Sequence, residues 1–181
     1  MKKEAGHTFL AKLGKKRLRP GGRKATDWLI KKGHFTKDKR VLEVGCNMCT
    51  TAIQLAKTYG CNIEGVDLNA KALQQGQKNV EAASLSHLIH VQKANAMNLP
   101  FEDEQFDIIL NEAMLTMLPL KAKVQALREY YRVLKPGGML LTHDIAIINL
   151  AQKEEIVENL SSAINVKVTP LPTAEWYQLF K

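Results

Sequence analysis

The stretch RVLEVGCNMCTTAIQLA, residues 40–56, constrains the fold more than any other part of this 181-residue chain. Val41-Leu42-Glu43-Val44 is short, apolar and rich in β-branched residues. That is the composition of a strand buried on both faces of a parallel sheet. Gly45 breaks the run, and Asn47, Thr50 and Thr51 supply turn and cap chemistry. Ala52, Ile53, Leu55 and Ala56 then recur at helical spacing. The pattern is strand, tight turn, helix. Such a turn presents backbone N–H groups and the positive end of a helix at the carboxyl edge of a sheet, where open α/β folds take their ligands.

The rest of the chain repeats the alternation. Strands are predicted at residues 62–67, 88–92, 106–110 and 139–142, the last delivering His143 and Asp144 to its carboxyl end. Between them, Asn69 caps a helix over residues 70–83. Residues 95–101 form a loop. Pro119 opens a helix at its first position, with an apolar stripe of Val124, Leu127, Tyr131 and Leu134 that Pro136-Gly137-Gly138 ends. A polar helix covers residues 154–164 and a further one starts at residues 174–180. Strands alternating with helices imply βαβ units, and right-handed crossovers make the sheet parallel and doubly wound, an α/β Rossmann-like architecture.

Residues 1–37 read differently. A short amphipathic helix is expected over residues 7–18, carrying Phe9, Leu10, Leu13 and Leu18 among basic residues. A break follows at Arg19-Pro20-Gly21-Gly22, and Thr26-Asp27 cap a second helix that ends near Gly33. Residues 1–40 hold fourteen Lys and Arg against three acids, while the remainder holds twelve against fifteen. The positive charge is thus an N-terminal property. It is either a solvated segment or one that meets an anionic group, with Arg19 and Arg23 placed for the latter. The expected organisation is a basic helical lid, residues 1–37, over a domain of residues 38–181. No apolar run reaches the ~18 residues of a membrane helix. The basic start lacks the apolar core of a signal peptide. An odd count of three cysteines points to a reducing compartment, so a cytoplasmic protein is expected.

Asp67 ends the second predicted strand 22 residues after Gly45. A carboxylate there can accept both hydroxyls of a ribose whose other end lies over the glycine turn; otherwise it caps the following helix. The dinucleotide fingerprint G-x-G-x-x-G is absent, because Asn47 and Thr50 stand where its second and third glycines would. A pyrophosphate is therefore disfavoured, and with it a nicotinamide-dependent oxidoreductase. A ligand with ribose and no phosphate fits better. Cys46-x-x-Cys49 has the spacing of a redox pair or half a zinc site, but no second ligand pair exists and Cys61 stands alone. A small buried thiol is the better reading, and no metal site is expected. The five histidines form no cluster. His143, beside Asp144, and Glu112 are the candidates for a general base. Met114, Leu115, Met117 and Leu118 either line an acceptor pocket or belong to the core.

The order VLEVGCNMC, VD, ANAMNLPFEDEQFDIIL and LREYYRVLKPGGMLLTHD resembles class I S-adenosylmethionine-dependent methyltransferases over residues 38–145. The likeness is to the small-molecule branch that includes quinone and sterol methyltransferases. It implies S-adenosyl-L-methionine as cofactor and direct displacement of its methyl group onto a small-molecule acceptor. It also implies residue roles. Glu43 and Gly45 would line the methionine part, with the backbone of Cys46 and Asn47 beside it. Asp67 would hold the ribose and Leu68 would pack on the adenine. Asn95, through its side chain, and Ala96, through its N–H, would meet the adenine edge. Asn111 would face the methionine carboxylate or the sulfonium. The family usually has glycines where Asn47 and Cys49 stand, implying a wider or stiffer turn here. It usually has Asp where Asn95 stands. Its sheet has seven strands, closing with an antiparallel hairpin that residues 1–181 lack. A rival reading is a non-catalytic module binding a nucleoside or, through the basic start, nucleic acid. Only Phe9, Trp28 and Phe35 are available there to stack on bases, which disfavours nucleic acid.

Overall fold

The computed structural model describes residues 20–181. The helix expected over residues 7–18, and Arg19, lie outside the described residues. Five strands form one sheet: β1 (Arg40–Val44), β2 (Asn62–Asp67), β3 (Ile89–Lys93), β4 (Phe106–Glu112) and β5 (Leu134–His143). Their order is β3-β2-β1-β4-β5 and every pairing is parallel. β1 leads on one side to β2 and on the other to β4, so the order of the chain reverses at β1. Ligand clefts of doubly wound sheets open beyond the carboxyl ends at such a point.

Each face of the sheet carries its own core. Helices α1 (Gly22–Lys32), α2 (Thr50–Tyr59) and α3 (Ala70–Ala82) cover one face, with Leu29, Val41, Leu55, Ile63, Ile89 and Leu110 buried between them. Helix α4 (Leu120–Val133) covers the other, over Leu42, Val44, Val66, Ile109 and Phe106. Burial on both faces is why β1 reads as a continuous apolar run: four of its five residues are buried. The exception to the apolar rule is Glu43, 6% exposed, whose use is described below. Beyond β5, the two-residue strands β6 (Ala146–Ile147) and β7 (Leu171–Pro172) pair in parallel. They flank α5 (Lys153–Ile164), and α6 (Thr173–Leu179) follows. The main sheet contains no antiparallel strand among the described residues, and β5 forms its edge.

Several local expectations change. Asn69 caps α3 as expected, accepting from the N–H of Lys71 and Ala72. Thr50 and Thr51 do not cap α2; its N-cap is Cys49, without a side-chain bond. The Glu43 carboxylate takes that part from the preceding strand, accepting from Ala52 N at 3.0 Å. Thr26 and Asp27 do not cap α1, which already begins at Gly22. Thr26 lies inside it, where its hydroxyl donates to the Gly22 carbonyl and to Glu112. Pro119 is the N-cap of α4 rather than its first residue. Pro136-Gly137-Gly138 does not end α4, since Leu134 is already extended and the tripeptide lies within β5. Proline pushes its predecessor out of the helical region, so the effect arrives before the proline itself. Gly137, at φ +74°, absorbs the resulting irregularity, and the β4–β5 register shifts between Phe106 and Ile108.

Candidate functional site

The carboxyl ends of β1 and β2 meet the loop after β3 and the turn after β4 around a cleft of about 140 Å³. Val44, Gly45, Asp67, Leu68, Asn95, Ala96, Met114 and Leu118 are among its lining residues. The first wall is the turn after β1. Gly45 takes φ +78°, and the N–H groups of Gly45 and Cys46 both donate to the Val66 carbonyl, at 2.8 and 3.0 Å. Asn47 and Cys49 adopt φ +48° and +59°. The residues that stand in place of the family's glycines thus still take the left-handed conformation glycine would supply. This costs about 1–2 kcal/mol for an ordinary side chain and less for asparagine. The strained turn is held from behind by α3. There Asn79 Nδ2 donates to Met48 O at 3.0 Å. A Cβ added at Gly76 would come within 2.8 Å of Cys49 Sγ and 3.2 Å of Asn47 O.

Asp67 joins this turn to the next element. One carboxylate oxygen accepts from Asn47 N and the other from Asn69 N, both at 2.9 Å. Leu68 beside it is 60% exposed, an apolar shelf open to solvent. On the facing loop, Asn95 Oδ1 accepts from Met97 N at 3.0 Å and Ala96 is buried. The loop is clamped by α4. Arg132 donates to the carbonyls of Phe101 and Leu99 at 2.7 and 3.0 Å, and Glu129 accepts from Leu99 N at 2.8 Å. Arg132 and Glu129 pair at 2.8 Å. The guanidinium bond holds the Glu129 carboxyl below the usual carboxylate range. Sequence reasoning missed this clamp; its only trace is the i, i+3 acid–base spacing in LREYYRVL.

Asn111 is fully buried where β4 meets β1. Its Nδ2 donates to Val44 O at 3.1 Å, and its Oδ1 has no partner among the described residues. A buried acceptor left without a donor calls for an explanation, and a ligand's N–H is one. Glu112 and His143 pair in register one residue further on. The structure places both under α1 and outside the lining of the cleft. Glu112 accepts from the Thr26 hydroxyl at 2.9 Å, and the His143 ring lies beside Gly21. Arg23 is 80% exposed and pairs with Asp27 at 3.3 Å. Cys46 and Cys49 are buried free thiols with sulfurs 4.0 Å apart. The hydrogen bond between them, and then burial, push the Cys46 thiol far above its ordinary range. Burial pushes Cys61 up to about 11. A helical turn, Leu115–Met117, closes the cleft on the β4 side. It is held by Asp144, which accepts from Thr116 N at 3.0 Å and from the Thr116 hydroxyl.

Residues 41–138 match a family described as "Methyltransferase domain". The chain belongs to that family. An uncharacterized protein of Haemophilus influenzae is 62% identical over 180 residues, 99% of this chain and 71% of its own length. The demethylmenaquinone methyltransferase of Lactiplantibacillus plantarum is 36% identical over 110 residues, 60% of this methyltransferase chain and 46% of its own. Among solved structures, the geranyl diphosphate C-methyltransferase of Streptomyces coelicolor A3(2) was determined with Mg2+, geranyl diphosphate and S-adenosyl-L-homocysteine. It superposes with a TM-score of 0.76 at 17% identity, over 85% of this chain and 57% of that one, a likeness of fold. The methyltransferase chain described here spans about half the length of that demethylmenaquinone enzyme.

Proposed function

We propose that this methyltransferase domain transfers the methyl group of S-adenosyl-L-methionine to a small-molecule acceptor, with the cofactor lying in the cleft between Gly45 and Asp67. The observation that carries the reading is the meeting of Gly45, Asp67 and the 95–97 loop around one cleft. The residues present suit the cofactor end by end. Asp67 faces the ribose hydroxyls, and its acceptor capacity exceeds the two backbone bonds it already makes. Leu68 offers its exposed face to the adenine, with Asn95 and Ala96 at the edge. Asn95 Oδ1 is shared with Met97 N, so its Nδ2 is the freer group toward a ring nitrogen. Asn111 Oδ1 is an acceptor, so it suits the ammonium of the methionine part rather than the carboxylate. Glu43 fixes the turn from behind through Ala52 N.

The cofactor supplies a methyl group on a sulfonium that departs as a neutral thioether. The protein's part is orientation and exclusion of water rather than bond chemistry. Gly45 leaves room for close approach, and Met114 and Leu118 wall the side from which an acceptor would come. His143 and Glu112 are the candidate proton acceptors for a substrate that needs one, and they would serve only an acceptor lying on the α1 side, outside the lining of the cleft. The positive charge concentrated in residues 1–40 favours an acceptor with an anionic group, in a cytoplasmic enzyme. The likeness to a demethylmenaquinone methyltransferase supports an apolar ring as the first acceptor class to try.

The test is a screen with S-adenosylmethionine carrying a tritiated methyl group, against reduced demethylated quinones, small amines and phenols. The reading expects label in one class and its loss, at least tenfold, in Asp67→Ala. Transfer that is indifferent to Asp67 would reject the site. Salt-sensitive RNA binding without any transfer would favour the non-catalytic alternative.

A further inference from the structure

Lys123 is a cation in a place that two rules forbid. Its side chain is fully buried, with none of the residue exposed. It also stands in the first turn of α4, where the helix dipole is positive. Burial lowers its pKa, opposed by the charge of Asp144. A buried charge persists only where its hydrogen bonds are met. The ammonium has three protons and meets three acceptors: the Leu118 carbonyl, the Thr169 carbonyl at 2.7 Å and the Thr169 hydroxyl oxygen at 2.8 Å. The Thr169 hydroxyl in turn donates to the Leu118 carbonyl, and Thr169 N donates to Thr116 O at 2.8 Å. The centroid of the Trp176 ring lies 5.8 Å from the ammonium.

Three of these bonds end on one short segment, the turn running from Met114 to Leu118, and the other two tie Lys123 to Thr169, which itself holds that turn. That segment walls the cleft at both ends, since Met114 and Leu118 line it. Met114 Cγ sits 3.4 Å from where a Cβ on Gly45 would be, so this turn fixes the width of the cleft above Gly45. The nucleoside end of the cleft is held by different bonds, those of Asp67 and of the Arg132–Glu129 clamp, which sits at the far end of α4 from Lys123.

We infer that Lys123 is a positioning residue for the methyl-bearing end of the cofactor. Through Leu118 and Thr169 it sets the wall opposite Gly45, and so where the methionine part and its methyl group lie. The inference rests on the cofactor placement proposed above and adds a division of labour within it.

The experiment compares wild-type chain with Lys123→Met, which keeps the aliphatic stem, and Lys123→Arg, which keeps the charge. Calorimetric titrations use S-adenosylhomocysteine and 5′-methylthioadenosine, the second lacking the amino-acid end. The inference expects Lys123→Met to weaken S-adenosylhomocysteine at least tenfold and methylthioadenosine less than twofold, with partial recovery in Lys123→Arg. Equal loss for both ligands, or no loss for either, would overturn it. Amide exchange at Met117 and Leu118, read without ligand, keeps the two readings apart. Exchange about tenfold faster in Lys123→Met is expected even if the cofactor placement were wrong, and unchanged exchange would overturn the role of Lys123 alone. Should Lys123→Met not fold, Thr169→Val removes one of the three acceptors, and the same selective loss, smaller in size, is required of it.

Discussion

Asp67 shares its carboxylate between the N–H groups of Asn47 and Asn69, so a substitution there disturbs the turn as well as the ribose contact proposed for it. Asp67→Ala is expected to raise the dissociation constant for S-adenosylhomocysteine at least tenfold and to lower the melting temperature as well. Asp67→Asn, which keeps one acceptor oxygen, should recover part of each. Titration and thermal melts on the same samples check both. Gly76 gives a sharper test of the strained turn. Gly76→Ala would put a methyl within 2.8 Å of Cys49 Sγ. The cost of forcing it in is about 1–3 kcal/mol, read by urea unfolding, with weaker cofactor binding because the turn is pushed outward. That Gly45 and Asp67 meet at one cleft was legible from sequence because a break after a buried strand and an acid 22 residues later leave few geometries. The parts of Glu43, Gly76 and Lys123 were not. Each acts on a partner remote in sequence or through the absence of a side chain, and neither leaves a periodic trace.

The elements around the cleft differ in what holds them. The loop over residues 95–101 has little secondary structure and depends on Arg132 and Glu129 of α4. Charged hydrogen bonds of this kind contribute about 1.5–3 kcal/mol when partly buried. The further contact of Arg132 with Asp103, whose side chain is 75% exposed, adds little. Arg132→Met should therefore destabilise the chain by about 2 kcal/mol and speed amide exchange, with the loop opening locally and so exchanging faster than β1, which opens only with the whole fold. The pH dependence follows from the lowered pKa of Glu129. A depressed carboxyl contributes fully above its unfolded value, about 4.3, and loses that contribution as pH falls through the folded value. Wild type should thus keep its advantage over Arg132→Met between pH 5 and 7, a window given by the reference value, and lose it in more acid solution. Urea unfolding of the pair across that range checks the sign. Among the elements, β2 and α3 were the most legible, since an apolar run ending in Asp67 and an Asn69 cap are purely local signals. The end of α4 was misplaced because the proline acts on the residues before it. The start of α1 was misplaced because Gly21, at φ +71°, begins the helix without any capping side chain.

The described residues form one main parallel sheet with a cleft where its strand order reverses, and that much was legible from the alternation of strands and helices. The β6–β7 ladder was not, since two-residue strands carry no pattern. Among the described residues no helix is long and apolar enough to cross a membrane. Linkage gives a prediction for the entire fold. A ligand at a hundred times its dissociation constant stabilises the native state by about 2.7 kcal/mol. For a chain of this size that is a rise of roughly 5–10 °C in melting temperature. S-adenosylhomocysteine should produce such a rise, and NAD should produce none.

The most direct test of the central claim is a calorimetric titration of the chain with S-adenosylhomocysteine, repeated on Asp67→Ala. A cofactor cleft between Gly45 and Asp67 predicts one ligand bound per chain and binding lost, or weakened at least tenfold, in the variant. Equal binding by both proteins, or preference for NAD over S-adenosylhomocysteine, would contradict it.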